Sequence, residues 1–250
     1  MGLPRAAMFW SGGKDSAMAL DRVRRAGAWD VATLITTVNP EFGRVSMHGV
    51  REELVARQAE AAGLPLLRMP VPSGADNGPY VGALKAVLAA QRQAGTRAVI
   101  FGDIFLADLR AWREGFLADC GLQGLFPLWG EDTGRLSREF VERGFKAVTC
   151  CVDDAHLDED AVGQPLDAAF FAGLPGHVDP CGENGEYHSF VHDGPVFQAP
   201  VRFRMGERVY RPLGVAAPAQ EDDGHPPIAV PAAPAGTRTR GFWFVDLLAD

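Results

Sequence analysis

The sequence predicts an α/β fold: a parallel sheet with helices on both faces, followed by a smaller α+β region. Short apolar or β-branched runs alternate with helical stretches from Arg5 to Trp129. Glycine turns separate the runs, and each run lacks the polar alternation of a half-exposed strand. After Thr133 the rhythm changes to an acidic region and then to strand-like alternation.

Arg5–Trp10 has the length of a buried strand, and Ala17–Val23 reads as helix, with Ser11-Gly12-Gly13-Lys14-Asp15-Ser16 between them. Val31–Val38 is rich in β-branched residues and predicts a second strand, broken by Asn39-Pro40 and Gly43. An amphipathic helix over Glu52–Ala62 ends at Gly63. Leu64–Val71 predicts a third strand. Tyr80–Ala94 carries Val81, Leu84, Val87 and Leu88 at helical spacing. Thr96–Phe101 is a fourth strand, ending at Gly102-Asp103-Ile104, and helix Leu106–Asp119 and strand Leu125–Trp129 follow. These elements make up a first domain, residues 1–131.

Residues 132–250 form the second region. Helix Arg135–Arg143 and strand Phe145–Val152 continue the first pattern, and Asp153–Leu174 is acidic and loosely helical. Pro195–Arg204 and Glu207–Arg211 read as antiparallel strands turning at Gly206. Val215–Arg240, rich in proline and alanine, reads as a flexible insertion. Gly241–Leu248 is too apolar for a loose tail and is expected to return as a strand against residues 196–211.

With 47% hydrophobic and 22% charged residues, the 250-residue chain has the composition of a globular protein able to bury a full core, and a homo-oligomer stays open. No apolar run approaches a membrane span of about 18 residues and no signal peptide precedes the first strand, so the cytoplasm is the expected compartment. Cys120, Cys150, Cys151 and Cys181 have no Cys-x-x-Cys spacing, and Cys181, His188 and His192 do not have the spacing of a zinc site. A net charge of −8 gives no long-range attraction to nucleic acid. Only Lys14, Lys85 and Lys146 of the 24 basic residues are lysines, a bias that suggests a GC-rich, bacterial genome.

Strand, glycine turn and helix start together make an anion site, because close-approaching backbone N–H groups and the helix N-terminus both favour phosphate. A Walker A loop would need glycine at position 8, which is Met8, and Gly-x-Gly-x-x-Gly does not fit. The six residues instead resemble the PP-loop of ATP pyrophosphatases, which cleave ATP between the α- and β-phosphates. In this reading Ser11, Gly12, Gly13, Lys14, Asp15 and Ser16 bind the nucleotide, and Gly102 allows close backbone approach. Asp15 and Asp103 are candidates for Mg²⁺; Asp103 could orient the metal or the ribose, with a helix N-cap as the lesser alternative.

A second dense stretch, Asp179 to Val191, gathers glycines, carboxylates, Asn184, His188 and Ser189 in a turn-forming context. Ser-Gly-Gly-Lys-Asp-Ser, Gly102-Asp103-Ile104, Pro127-Leu128-Trp129 and Cys181-Gly182-Glu183-Asn184-Gly185-Glu186-Tyr187-His188 together resemble the diphthine–ammonia ligase family (diphthamide synthase type, PP-loop superfamily). The likeness covers roughly residues 5–211, and Phe242-Trp243-Phe244 with Asp246-Leu247 resembles the bacterial branch. Asn184 stands where the family usually has glycine, and Ser189 where threonine is common.

The resemblance implies a Rossmann-like, adenine nucleotide α-hydrolase-like first domain that uses ATP and Mg²⁺. It implies adenylation of a substrate carboxylate and attack by ammonia, giving an amide, AMP and pyrophosphate. The carboxylate-bearing acceptor is left unidentified, with the diphthine of elongation factor 2 implied only for an archaeal or eukaryotic source. Lys14, Asp15, Glu183, Glu186 and His188 are the candidate catalytic residues, the last three because a carboxylate or imidazole can take a proton from ammonium. His48, Arg51, Arg110, Asn184 and Glu186 are the candidates for contact with substrate, and Arg113, one turn from Arg110, is expected to face the same cleft. A tRNA-modifying PP-loop enzyme and a nucleotide sensor or ATP hydrolase without an acceptor are the alternatives.

Overall fold

Nonpolar strand sequences that alternate with helices can be buried on both faces only in a parallel sheet, and the computed structural model has one. It describes residues 2–46, 48–71, 77–212 and 240–250. In chain order the first elements are β1 (Arg5–Phe9), α1 (Lys14–Ala26), β2 (Asp30–Asn39), β3 (Arg44–Val45) and α2 (Glu52–Ala61). Then come β4 (Leu66–Pro70), α3 (Asn77–Gln93), β5 (Thr96–Ile100), α4 (Ala107–Asp119) and β6 (Gln123–Leu125). The parallel order is β4-β2-β1-β5-β6, and β3 pairs antiparallel with the end of β2. The chain steps outward from β1 to β2 and β4, then crosses to β5 on the other side. The switch point therefore lies between β1 and β5, where such sheets open a crevice beyond their carboxyl ends.

Helix α1 buries Ala17, Met18, Leu20 and Val23 against this sheet and carries Arg24 and Arg25 in its last turn, where cations favour the helix dipole. It stops at Gly27, whose left-handed φ of 61° lets its N–H reach the Val23 carbonyl.

The second region contains α5 (Thr133–Glu142), β7 (Lys146–Asp153), α6 (Ala168–Gly173), β8 (Tyr187–Asp193), β9 (Phe203–Pro212) and β10 (Gly241–Ala249). Asp132 caps α5 by accepting from the Arg135 N–H. These strands form an antiparallel sheet of order β8-β7-β10-β9.

Three sequence expectations are corrected here. Of the residues expected to form a hairpin at Gly206, 195–202 form no strand and the rest lie in one strand, β9, where Gly206 lies beside the irregularity in its pairing with β10. A Cβ there would meet the Asp246 carbonyl oxygen at 3.1 Å, so glycine serves close strand approach and not a turn. The strand expected over Leu125–Trp129 ends at Leu125, because Pro127 lacks the N–H that a ladder needs. Strand β7 belongs to the antiparallel sheet and does not extend the parallel one. Gly241–Ala249 does return as a strand, between β7 and β9. The insertion expected over Val215–Arg240 falls, apart from Arg240, outside the described residues.

One hydrophobic core runs through both sheets, joining Met8, Leu20, Leu34 and Leu54 to Phe140, Phe145, Phe190 and Val245. A smaller cluster of Ile35, Met69, Leu84, Leu88 and Val99 covers the other face of the parallel sheet. Among the described residues, no helix is long and apolar enough to cross a membrane.

Candidate active site

The Ser11–Ser16 loop joins β1 to α1 at the switch point. Gly12 has φ of 81° and lies so close to Gln58 that a Cβ would meet its Oε1 at 2.5 Å. Gly13 is pressed from the other side by His48 and the Ser189 carbonyl. The Ser11 and Ser16 hydroxyls are 3.3 Å apart, and the Gly13 N–H donates to Ser11 Oγ. At the next crossover Gly102 packs on the backbone of Asp15 and Ser16, where a Cβ would meet the Asp15 carbonyl carbon at 2.9 Å. That contact is with backbone and cannot be relieved by a rotamer change.

Strand β8 brings the second motif onto this loop. The Lys14 N–H donates to Ser189 Oγ at 3.1 Å, and the Val191 N–H donates to the Gly12 carbonyl at 2.9 Å. Gln58, fully buried on α2, donates to both the Gly12 and Val191 carbonyls and accepts from Trp10 Nε1. The Lys14 ammonium donates to both Asp15 oxygens, at 2.7 and 2.8 Å, and to the Cys181 carbonyl. Burial alone would lower its pKa, but Asp15, Cys181 and Tyr187 outweigh burial and the pKa rises.

The cleft has a volume of about 780 Å³. From the second motif, Gly182, Glu183, Gly185, Tyr187, His188 and Ser189 line it. Glu183 accepts from the Ile104 N–H at 2.7 Å, tying this turn to the β5–α4 loop. Burial and the Asp15 carboxylate push Glu183 up to about 7. The His48 and His188 rings lie against each other, tilted by 39° with centroids 4.5 Å apart. Burial, with Lys14 adding to it, lowers His188 to about 4, and burial with His188 holds His48 well below 6.5. Both imidazoles are therefore neutral near pH 7.

At the other wall Phe9, Phe101 and Phe126 form a stack, and the Arg113 guanidinium lies 4.2 Å above the Phe101 ring. Arg113 pairs with Asp103 Oδ1 at 3.2 Å, while the buried Asp103 Oδ2 has no partner. An orphaned carboxylate oxygen in a cleft fits a cation. Magnesium, which takes most of its ligands from phosphate and water, needs few protein carboxylates. No group of three or more histidine, cysteine or acidic side chains among the described residues could hold a metal by itself.

Of the residues singled out in the sequence, Ser11, Gly13, Lys14, Asp15, Ser16, His48, Gly102, Asp103, Glu183 and His188 line the cleft. Gly12 is buried behind the loop. Arg51 lies outside and pairs with Asp246 on β10, and Arg110 stacks on Phe126 and Trp129 and pairs with Glu114. Glu186 is buried within its own turn, accepting from the Asp179 and Asn184 N–H groups and the Asn184 amide. The two therefore brace the turn from outside the cleft. Arg113, expected on the cleft side from its one-turn spacing with Arg110, does line the cleft, and Tyr80 and Thr37 line it without having been singled out. A larger groove of about 1030 Å³, between α1 and α5, contains no residue of the Ser11–Ser16 loop or of the Asp179–Val191 stretch.

A glycine loop at the switch point of a parallel sheet, faced by a carboxylate- and imidazole-bearing turn, is the arrangement of an α/β protein of nucleotide-binding type. Comparison with known families narrows the class. The model of the diphthamide synthase N-terminal domain matches residues 4–124, and that of the diphthamide synthase C-terminal domain matches residues 132–215. The chain belongs to the diphthamide synthase family.

A Bos taurus protein named diphthine–ammonia ligase is 27% identical over 237 residues, covering 86% of this chain and 88% of its own length. A Schizosaccharomyces pombe protein of the same name is 27% identical over 210 residues, covering 75% of this chain. This chain spans only 34% of that longer protein. A solved structure described as a predicted subunit of a tRNA methyltransferase from Methanocaldococcus jannaschii has a TM-score of 0.36 and 14% identity, over 64% of this chain and 84% of that one. A likeness of that size carries no argument.

Proposed function

We propose that this chain is an ATP-dependent amide ligase that adenylates a carboxylate and transfers the acyl group to ammonia. The supporting observation is the convergence of the glycine loop, Gly102-Asp103 and the Gly182–Ser189 turn on one cleft. Backbone N–H groups at the start of α1 and the Ser11 and Ser16 hydroxyls hold the phosphates. Asp103 and Asp15 would hold Mg²⁺, which would supply charge neutralisation to the phosphates.

The acceptor carboxylate attacks the α-phosphorus, breaking its bond to the bridging oxygen and releasing pyrophosphate. Ammonia then attacks the acyl carbon, and AMP leaves with the electron pair of the broken C–O bond. Glu183, titrating near 7, is matched to take the proton that ammonium must lose. His188 at about 4 is too weak a base for that task and acts as a neutral hydrogen-bonding group. The names of the relatives make diphthine the first acceptor to try.

The test is to incubate the protein with MgATP, ammonium and either diphthine-bearing elongation factor or fractionated extract, and to follow nucleotides by phosphorus NMR. AMP and pyrophosphate, appearing only with an acceptor, are expected. ADP and phosphate would overturn the reading.

A further inference from the structure

Lys14 sits in the phosphate loop, yet its ammonium is held by protein acceptors. The residue is only 2% exposed. Its three ammonium donors face three acceptors, the two Asp15 oxygens and the Cys181 carbonyl, and its ammonium lies 5.6 Å from the centroid of the Tyr187 ring. Its own N–H is bound to Ser189. Lys14 is thus tied at both ends to the second motif, on either side of Glu183.

We propose that Lys14 is a positioning residue that fastens the Cys181–Glu183 turn to the phosphate loop, and not a phosphate ligand. Through that turn it sets where the Glu183 carboxylate meets the β5–α4 loop. This deepens the proposed function and rests on it in taking the loop as the ATP site. Phosphate binding is left to backbone N–H groups and hydroxyls, which need no lysine.

Two readouts on the full chain separate the roles. The first is MgATP affinity by equilibrium dialysis. The second is the rate at which iodoacetamide labels Cys181, read by mass spectrometry of its peptide. Cys181 is buried and its thiol is pushed up to about 12, so it labels slowly while the turn is held. Loss of an ammonium–phosphate bond would weaken binding about tenfold or more.

Lys14→Met is expected to bind MgATP with less than about tenfold loss while Cys181 labels about tenfold faster or more. Weaker binding than that, or unchanged labelling, overturns the proposal. Lys14→Arg keeps the charge but does not fit between Asp15 and Cys181, so it provides the same labelling test if the methionine variant does not fold. Failure of the wild-type protein to bind MgATP would sink the proposed function, and the labelling comparison would still decide the role of Lys14.

Discussion

Burial, reinforced by Asp15, moves Glu183 from 4.5 to about 7, and this has two measurable consequences. As the proton acceptor, it makes amide formation rise with pH through about 7. Glu183→Gln should lower the rate about 100-fold or more and remove that limb, as a pH–rate profile would show. A raised pKa also means that the folded protein holds a proton the unfolded chain releases between 4.5 and about 7. The stabilisation from this group is full below pH 4.5 and lost as pH rises through 7. Urea midpoints of Glu183→Gln should lack that fall, and an unchanged slope would mean another group titrates there. Glu183 was legible because its motif is dense and local. Gln58 and Tyr80 were not, since each is an ordinary helix residue whose meaning comes from elements distant in sequence.

At the scale of elements, β10 holds the loop that carries His48. Asp246 on β10 accepts from Arg51 at 2.7 and 3.0 Å and from Arg44 at 2.9 Å, and Phe244 lies against Gly49. The Arg51 hydrogen bonds, with Arg44 adding, lower the Asp246 pKa below 3.8 against the effect of burial. These side chains are partly exposed, so solvent screens the cluster and Asp246→Asn should cost about 1 kcal/mol. A depressed carboxylate stabilises above its unfolded pKa and loses that stabilisation as pH falls. The difference between variant and wild type should therefore be present at pH 7 and shrink below pH 4. A thermal-melt series checks this, and a constant difference would mean the charge is not responsible. The apolar composition of Gly241–Leu248 foretold this strand. Its pairing with β7 was not foretold, because antiparallel pairing across some ninety residues leaves no local trace in either strand. Gly206 misled for a related reason: glycine marks turns and close strand approaches alike.

For the whole molecule, alternation fixed the parallel sheet and its carboxyl ends, which is why both halves of the cleft were visible early. How the second sheet would meet the first was not visible, because that depends on buried contacts between residues distant in sequence, one buried amide among them. Gln58 joins the phosphate loop, β8 and Trp10 where no water reaches, and the core beneath it is continuous across both sheets. Gln58→Ala would leave Trp10 Nε1 and the Val191 carbonyl without these partners and open a cavity, at a cost of about 3 kcal/mol. Because one core serves both sheets, that loss should lower a single unfolding transition. Hydrogen exchange should show β1 and β8 amides losing protection together in the variant. Loss of protection in β8 alone would mean that the second region folds as an independent unit docked on the first, and that the cleft is an interface between two bodies instead of a crevice within one.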